Sequence, residues 1–323
     1  MLAATYDRAG DPDVLQVREV DTPEPGPGEV RVRVAVAGVN PTDWKSLRRA
    51  SPSAPFAVPC EDGAGTIDAV GAGVEASRIG ERVWLVFASR PGPWGAAAQY
   101  SIVSADRAIP LPDTADFELG ASLGVPALTA WHCLRADGLL DGLSVLVAGG
   151  AGAVGQMAIQ LARHERAARV IATVSGPEKA EIATQAGAQL TVNYRTDPAA
   201  ESIRDATPHG IDRFIEVAVD ANLGLDIAVA APHATISAYA ADPETVAEVP
   251  VRALMGLGIT MRFMNLYTVR PADLHAAIDG VSRAVQAGAL TTLPLTRFPL
   301  TRTADALDAV RAGAVGKVLI DIP

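Results

Sequence analysis

The pattern of apolar and polar positions changes character once along the chain. Val14–Val20 (VLQVREV) and Glu29–Val39 (EVRVRVAVAGV) are rich in β-branched residues, alternating or running together. The Pro- and Gly-dense TPEPGPGE between them predicts a turn. Gly63–Gly71, Glu81–Phe87 and Tyr100–Asp106 read as further short strands. Several such strands at regular spacing predict a small barrel or sandwich. After residue 120 the period alternates between two and 3.6. Ser144–Ala148 is a short apolar run, and Gln156–Ala167 has helical periodicity. Arg169–Val174 is a strand, and Pro177–Gly187 is a helix opened by Pro and closed by Gly. QLTVNY, Asp212–Ala218, Ala234–Ala240 and Gly258–Met264 are predicted strands, with AAESIRDAT a helix among them. Strands alternating with helices predict a doubly wound parallel sheet. A tail with a helix (ADLHAAIDGVSRAVQAG) and a closing strand (KVLIDI) is placed to return to the first domain. The expected division is 1–121 with 265–323, and 122–264.

The 323 residues suffice for two domains, and 49% apolar with 20% charged residues is an ordinary globular balance. A net charge of −10 disfavours nucleic acid and anionic membranes as partners, so an anionic ligand needs a local basic site. Asp7 and Arg8 interrupt the N-terminus before any export-type apolar stretch, and no run is long enough to span a bilayer. A cytoplasmic location is the expectation. Cys60 and Cys133 form neither a disulfide framework nor a CxxC site.

The strongest motif is Gly150-Ala151-Gly152-Ala153-Val154-Gly155, a GxGxxG that follows a predicted strand and opens a predicted helix. Its glycines allow backbone N–H groups to approach a pyrophosphate at a helix N-terminus. NAD sites carry an acid about 20 residues further on, against the ribose 2'-hydroxyl. Here the second strand ends Ala172-Thr173-Val174-Ser175 with no acid. Ser175 and Lys179 suit a 2'-phosphate instead, which favours NADPH. Glu178 is a counter-signal, read as facing solvent.

Taken in order, GVNPTDWK (Gly38–Lys45), EDGAGTIDAVGAGV (Glu61–Val74), PALTAWHCL (Pro126–Leu134), the glycine loop, VNYR (Val192–Arg195), EVAVDANLGLDI (Glu216–Ile227) and GAVGKVLIDI resemble the medium-chain dehydrogenase/reductase superfamily. Within it they resemble specifically the zinc-free quinone oxidoreductase branch, which includes zeta-crystallin. The resemblance implies a GroES-like β-barrel catalytic domain, an inserted Rossmann domain and a cleft site between them. It implies Tyr194 near the adenosine end of NADPH and Thr129 on the nicotinamide side. Asn40 falls near the nicotinamide ribose and the substrate, and Lys317 near the 2'-phosphate. Val217, Tyr239 and the Met264-Asn265 pair are implied to frame the nicotinamide. Each residue has a plainer reading, such as a strand-end tyrosine for Tyr194 or a turn for Asn40-Pro41. Such proteins commonly pair through the Rossmann sheet edge, so a homodimer is expected, with a tetramer as the alternative.

No metal is expected. Glu61 stands where the zinc branch has a histidine, and no further Cys or His is placed to complete a ligand set. Without a Lewis acid, a conjugated small-molecule carbonyl, a quinone or an enone, is the expected acceptor. Many members of the branch carry tyrosines after Asn-Pro. Here Lys45 takes one such position and is a candidate donor to the oxyanion, with Asp43 fixing its charge. Two alternatives stay open. One is an enoyl reductase or tailoring enzyme, with Arg48, Arg49 and Arg90 at a basic entrance. The other is a non-catalytic NADPH-binding protein.

Overall fold

A computed structural model describes residues 1–241, 244–292 and 294–323. The chain divides into two compact units, Met1–Val125 with Pro294–Pro323, and Pro126–Leu293. The second passage thus falls later than residue 265. The amphipathic helix Pro271–Gln286 buries Ala277, Ile278, Val281, Ala284 and Val285, and it belongs to the second unit.

The first unit begins with β1 (Leu2–Thr5), β2 (Gln16–Glu19), β3 (Glu29–Val39), α1 (Pro41–Arg49), β4 (Asp62–Val70), β5 (Arg82–Leu85), β6 (Tyr100–Ser104), β7 (Ala108–Pro110) and α2 (Phe117–Gly120). β3 organises it: its alternate valines 30, 32 and 34 are buried, and it pairs antiparallel with both β4 and β6. Two register shifts against β4 mark bulges, which bend and twist the strand. α3 (Gly124–Leu134) starts at the unit boundary.

The second unit continues with β8 (Ser144–Val147), α4 (Ala153–His164), β9 (Arg169–Val174), α5 (Pro177–Gln185), β10 (Leu190–Asn193), α6 (Ala199–Ala206) and β11 (Ile211–Glu216). There follow α7 (Val219–Val229), β12 (Ala230–Ala238), α8 (Val251–Leu257), β13 (Thr260–Phe263) and α9 (Pro271–Gln286). Its six strands are all parallel, in the order β10-β9-β8-β11-β12-β13. β8 lies where the winding direction changes, so the carboxyl ends on either side of it form the crevice in which such sheets bind ligands. The chain then returns to the first unit with β14 (Leu295–Pro299), α10 (Thr303–Arg311) and β15 (Lys317–Asp321). β15 pairs antiparallel with β3 and closes the expected return of the tail.

The helix α1 was not foreseen, because Asn40-Pro41 reads equally as a turn. The structure makes Asn40 the N-cap, Pro41 the first helical residue and Asp43 the far half of a capping box. Among the described residues no helix is long and apolar enough to cross a membrane.

Candidate functional site

In the second unit the glycines do what the motif requires. Gly149 takes φ +66°, and a Cβ on Gly155 would stand 2.4 Å from the Gly149 carbonyl oxygen and 2.9 Å from the Gly150 Cα. A Cβ on Gly150 would meet the Ala172 Cβ at 2.6 Å. Only glycine lets the loop close this tightly against α4 and β9. Gly152 caps α4 with no side chain, so the N–H groups at Ala153 and Val154 keep their capacity for an outside acceptor. Gln156, which sequence reasoning missed, is fully buried and donates from Nε2 to the Ala151 carbonyl at 2.9 Å, bracing the loop. Its signal was a polar residue on the apolar face of a predicted helix.

The remaining cofactor candidates of this unit lie along the same edge of the sheet. The β9–β10 register sets Val174 beside Asn193, and the Tyr194 N–H donates to the Val174 carbonyl at 3.1 Å. Ser175 and Tyr194 are therefore neighbours just beyond two adjacent strands. Lys179 is on the first turn of α5, and the half-exposed Tyr194 ring lies against Arg195. Val217, Tyr239 and Met264 follow β11, β12 and β13 in turn. Tyr239 N donates to the Glu216 carbonyl (3.0 Å) and Met264 N to the Ala238 carbonyl (2.8 Å). Val217 also approaches the glycine loop, its Cγ1 lying 3.3 Å from a Cβ built on Gly149. The Asn265 side chain accepts from Tyr267 N and caps the short turn after β13. Thr129 is buried in α3.

The same edge holds two buried acids. Glu216 Oε1 accepts from Ala218 N at 2.6 Å and Asn222 Nδ2 at 2.9 Å, while Asp226 Oδ2 has no hydrogen-bond partner. Burial, and then the neighbouring Glu216, push the Asp226 carboxyl up to about 8. Burial also raises Glu216, against the pull of its N–H donors.

The first unit gathers a different cluster. Lys317 is 2% exposed, and its ammonium donates to Asn40 Oδ1 at 2.8 Å and Asp62 Oδ2 at 3.0 Å. Asn40 Nδ2 donates to the same Asp62 oxygen at 2.7 Å, and Val125 N donates to the other at 2.8 Å. The expectation that Lys317 serves a phosphate is corrected: its charge is neutralised inside this network, out of solvent.

The pairing expected of Asp43 and Lys45 is corrected too. Asp43 is buried and accepts from Asn40 N (2.7 Å) and Glu61 N (3.1 Å). Lys45 is exposed, with its Nζ 5.6 Å from the Trp44 ring centroid. Residues two apart on a helix do not face each other, and α1 separates them for that reason. Burial first, then the charges of Glu61 and Asp62, raise Asp43 to about 8 against the opposing Asn40 N–H and Lys317. Of the arginines considered for a basic entrance, Arg90 donates to Glu61 Oε1 and Arg48 pairs with Asp11. Cys60 is buried and its thiol is pushed well up by burial. Among the described residues no three His, Cys, Asp or Glu side chains are grouped to hold a metal ion.

Residues 26–113 match the alcohol dehydrogenase GroES-like domain, and residues 153–283 match a family described as zinc-binding dehydrogenase. A quinone oxidoreductase of Pseudomonas aeruginosa is 31% identical over 308 residues, covering 92% of each chain. A solved NAD-dependent alcohol dehydrogenase superposes with a TM-score of 0.89 at 27% identity, over 100% of both chains. A mycobacterial protein solved complexed with NADPH does so at 0.85 and 27%, over 99% of both.

Proposed function

The chain belongs to the quinone oxidoreductase family of the medium-chain dehydrogenase/reductase superfamily, and on that premise we propose that it is an NADPH-dependent reductase of conjugated carbonyl compounds, quinones or enones, acting without zinc. The observation that carries the reading is the glycine loop. It packs so closely on α4 that a Cβ at Gly155 would meet the Gly149 carbonyl oxygen, and it is set between β8 and α4 at the crevice of the parallel sheet.

The residues present fit the dinucleotide. The α4 N-terminus and the N–H groups around Gly152 to Gly155 would take the pyrophosphate. Ser175 and Lys179, beside Tyr194 and with no acid at the end of β9, would take the adenosine 2'-phosphate. Val217, Tyr239, Met264 and Asn265 would border the nicotinamide. NADPH supplies a hydride when bound. The assignments of Asn40 to the substrate and Thr129 to the nicotinamide, and pairing of two copies through the β13 edge, are parts of this proposal that rest on the family match. Glu61 in place of a histidine supports the zinc-independent reading. A conjugated acceptor suits a site without a Lewis acid, since hydride at its far carbon leaves an enolate or hydroquinone anion that needs only donors and a proton.

Purified chain is expected to oxidise NADPH with one acceptor class among quinones, alkenals, enones and enoyl thioesters, at a rate unchanged by a chelator. Turnover confined to enoyl thioesters would move the assignment to a biosynthetic reductase. NADPH binding without any turnover would leave a binding protein.

A second prediction concerns the loop itself. Gly155→Ala forces a methyl group against backbone, so NADPH affinity should fall roughly a hundredfold with the fold retained. Fluorescence titration checks it, and near-normal affinity would remove the loop from the binding site.

A further inference from the structure

We propose that Asn40 donates to the oxygen anion that hydride transfer leaves on the acceptor, and that Lys317 and Asp62 are positioning residues that fix its amide as a donor. The placement of Asn40 at the substrate rests on the reductase reading above.

The first unit sets the orientation of this amide by chemistry. An ammonium only donates and a carboxylate only accepts. Lys317 Nζ therefore takes Asn40 Oδ1, at 2.8 Å, and Asp62 Oδ2 takes Asn40 Nδ2, at 2.7 Å. A flipped amide would set donor against donor and acceptor against acceptor. The same ammonium also reaches Asp62 Oδ2, at 3.0 Å. It can touch both oxygens only along the O–C–N edge of the amide, so the Nδ2 hydrogen spent on Asp62 is the one beside the carbonyl. The outer hydrogen meets no acceptor among the described residues, although Asn40 is 2% exposed. A buried N–H left without an acceptor is costly unless a ligand supplies one. The backbone is held as well, since Asn40 N donates to Asp43 Oδ2 at 2.7 Å.

The charges nearby do not oppose an anion. Asp62 is answered by Lys317 and Val125 N, and Glu61 by Arg90. Asp43 holds its proton up to about 8. Lys317 on Oδ1 also polarises the amide and strengthens its remaining N–H as a donor.

Hydride at the far carbon of a conjugated acceptor moves the π electrons onto its carbonyl oxygen, and NADPH becomes NADP⁺. The Asn40 N–H meets that oxygen without giving up its proton, and water supplies the proton that completes the reduction. The hydrogen bond strengthens as charge develops, so it serves the rate more than binding.

Asn40→Ala removes the donor and leaves Lys317 and Asp62 paired, so the fold should hold. Its kcat should fall about a hundredfold with KM for the acceptor nearly unchanged, the scale of one lost oxyanion donor. The fall should be larger for an enone than for a benzoquinone, because the enolate is the more basic anion; a structural defect would slow both alike. Lys317→Met combined with Asp62→Asn keeps Asn40 but frees its amide, and should lower kcat with the same bias. Absorbance titration with 4-nitrophenolate, a stand-in for the product anion, needs no turnover. In the presence of NADP⁺ the unaltered chain should bind it about tenfold more tightly than Asn40→Ala does, the scale of a charge-assisted hydrogen bond. Unchanged kcat in either variant, equal losses on the two acceptors, or 4-nitrophenolate bound equally or by neither protein overturns the proposal. Nitrophenolate binding that requires Asn40, in a chain that reduces neither acceptor, supports the donor and counts against the reductase reading instead.

Discussion

Replacing Lys317 with methionine is expected to cost about 3–5 kcal/mol of stability, the range for removing one partner of a buried ion pair. Asp62 is fully buried, and it would keep its charge with only Asn40 Nδ2 and Val125 N to answer it. Methionine fills nearly the same volume, so the loss reports charge rather than a cavity. Asn40 would also lose the donor that fixes its amide oxygen. Urea unfolding measures the loss. Adding Asp62→Asn to Lys317→Met should recover part of it, since the stranded charge is then gone. A loss below about 1 kcal/mol would place the pair with ordinary surface salt bridges.

Stability is expected to decline as the pH rises from about 4 to about 8. Asp226 is pushed up to about 8 by burial beside Glu216, and Asp43 to about 8 by burial near Glu61 and Asp62. An unfolded aspartate releases its proton near 3.9, so between that value and 8 the folded chain holds protons that the unfolded chain has lost. The contribution is fully present below the unfolded value and is lost as the pH rises through the folded one. The slope is at most about 1.4 kcal/mol per pH unit for each retained proton. Asp226→Asn keeps the shape without the titration and should flatten the decline. Urea midpoints at pH 5, 7 and 9 test this, and stability that is level or rising over that range would show that these carboxyls are ionised in the fold.

The glycine loop is legible in the sequence because its requirements are local. Six consecutive residues, a strand before and a helix after fix Gly150 to Gly155, and the structure adds only the distances that exclude a Cβ. The parallel sheet was legible for a similar reason, since its strands are short apolar runs separated by amphipathic helices. The charge networks were not. Lys317 and Asp62 are 255 residues apart, and only the antiparallel pairing of β15 with β3 brings the lysine inside. Lys317 could then be read only through the family resemblance, which pointed to a phosphate.

The expected pairing of Lys45 with Asp43 fails for the opposite reason, since the signal that separates them is local and stands in the sequence. Asn-Pro-x-Asp is an N-cap, a first-turn proline and a capping-box acid, and a helix on that register turns residues 43 and 45 to different faces.

On the proposed reading the second unit takes NADPH as its hydride donor through Ser175 and Lys179. The most direct measurement is kcat/KM for NADPH against NADH with one acceptor at saturation, for the unaltered chain and for Lys179→Ala. NADPH should be preferred at least about tenfold, and Lys179→Ala should remove most of that preference while leaving NADH untouched, since on this proposal only the 2'-phosphate would meet the lysine. Equal use of the two donors, or better use of NADH, would contradict it.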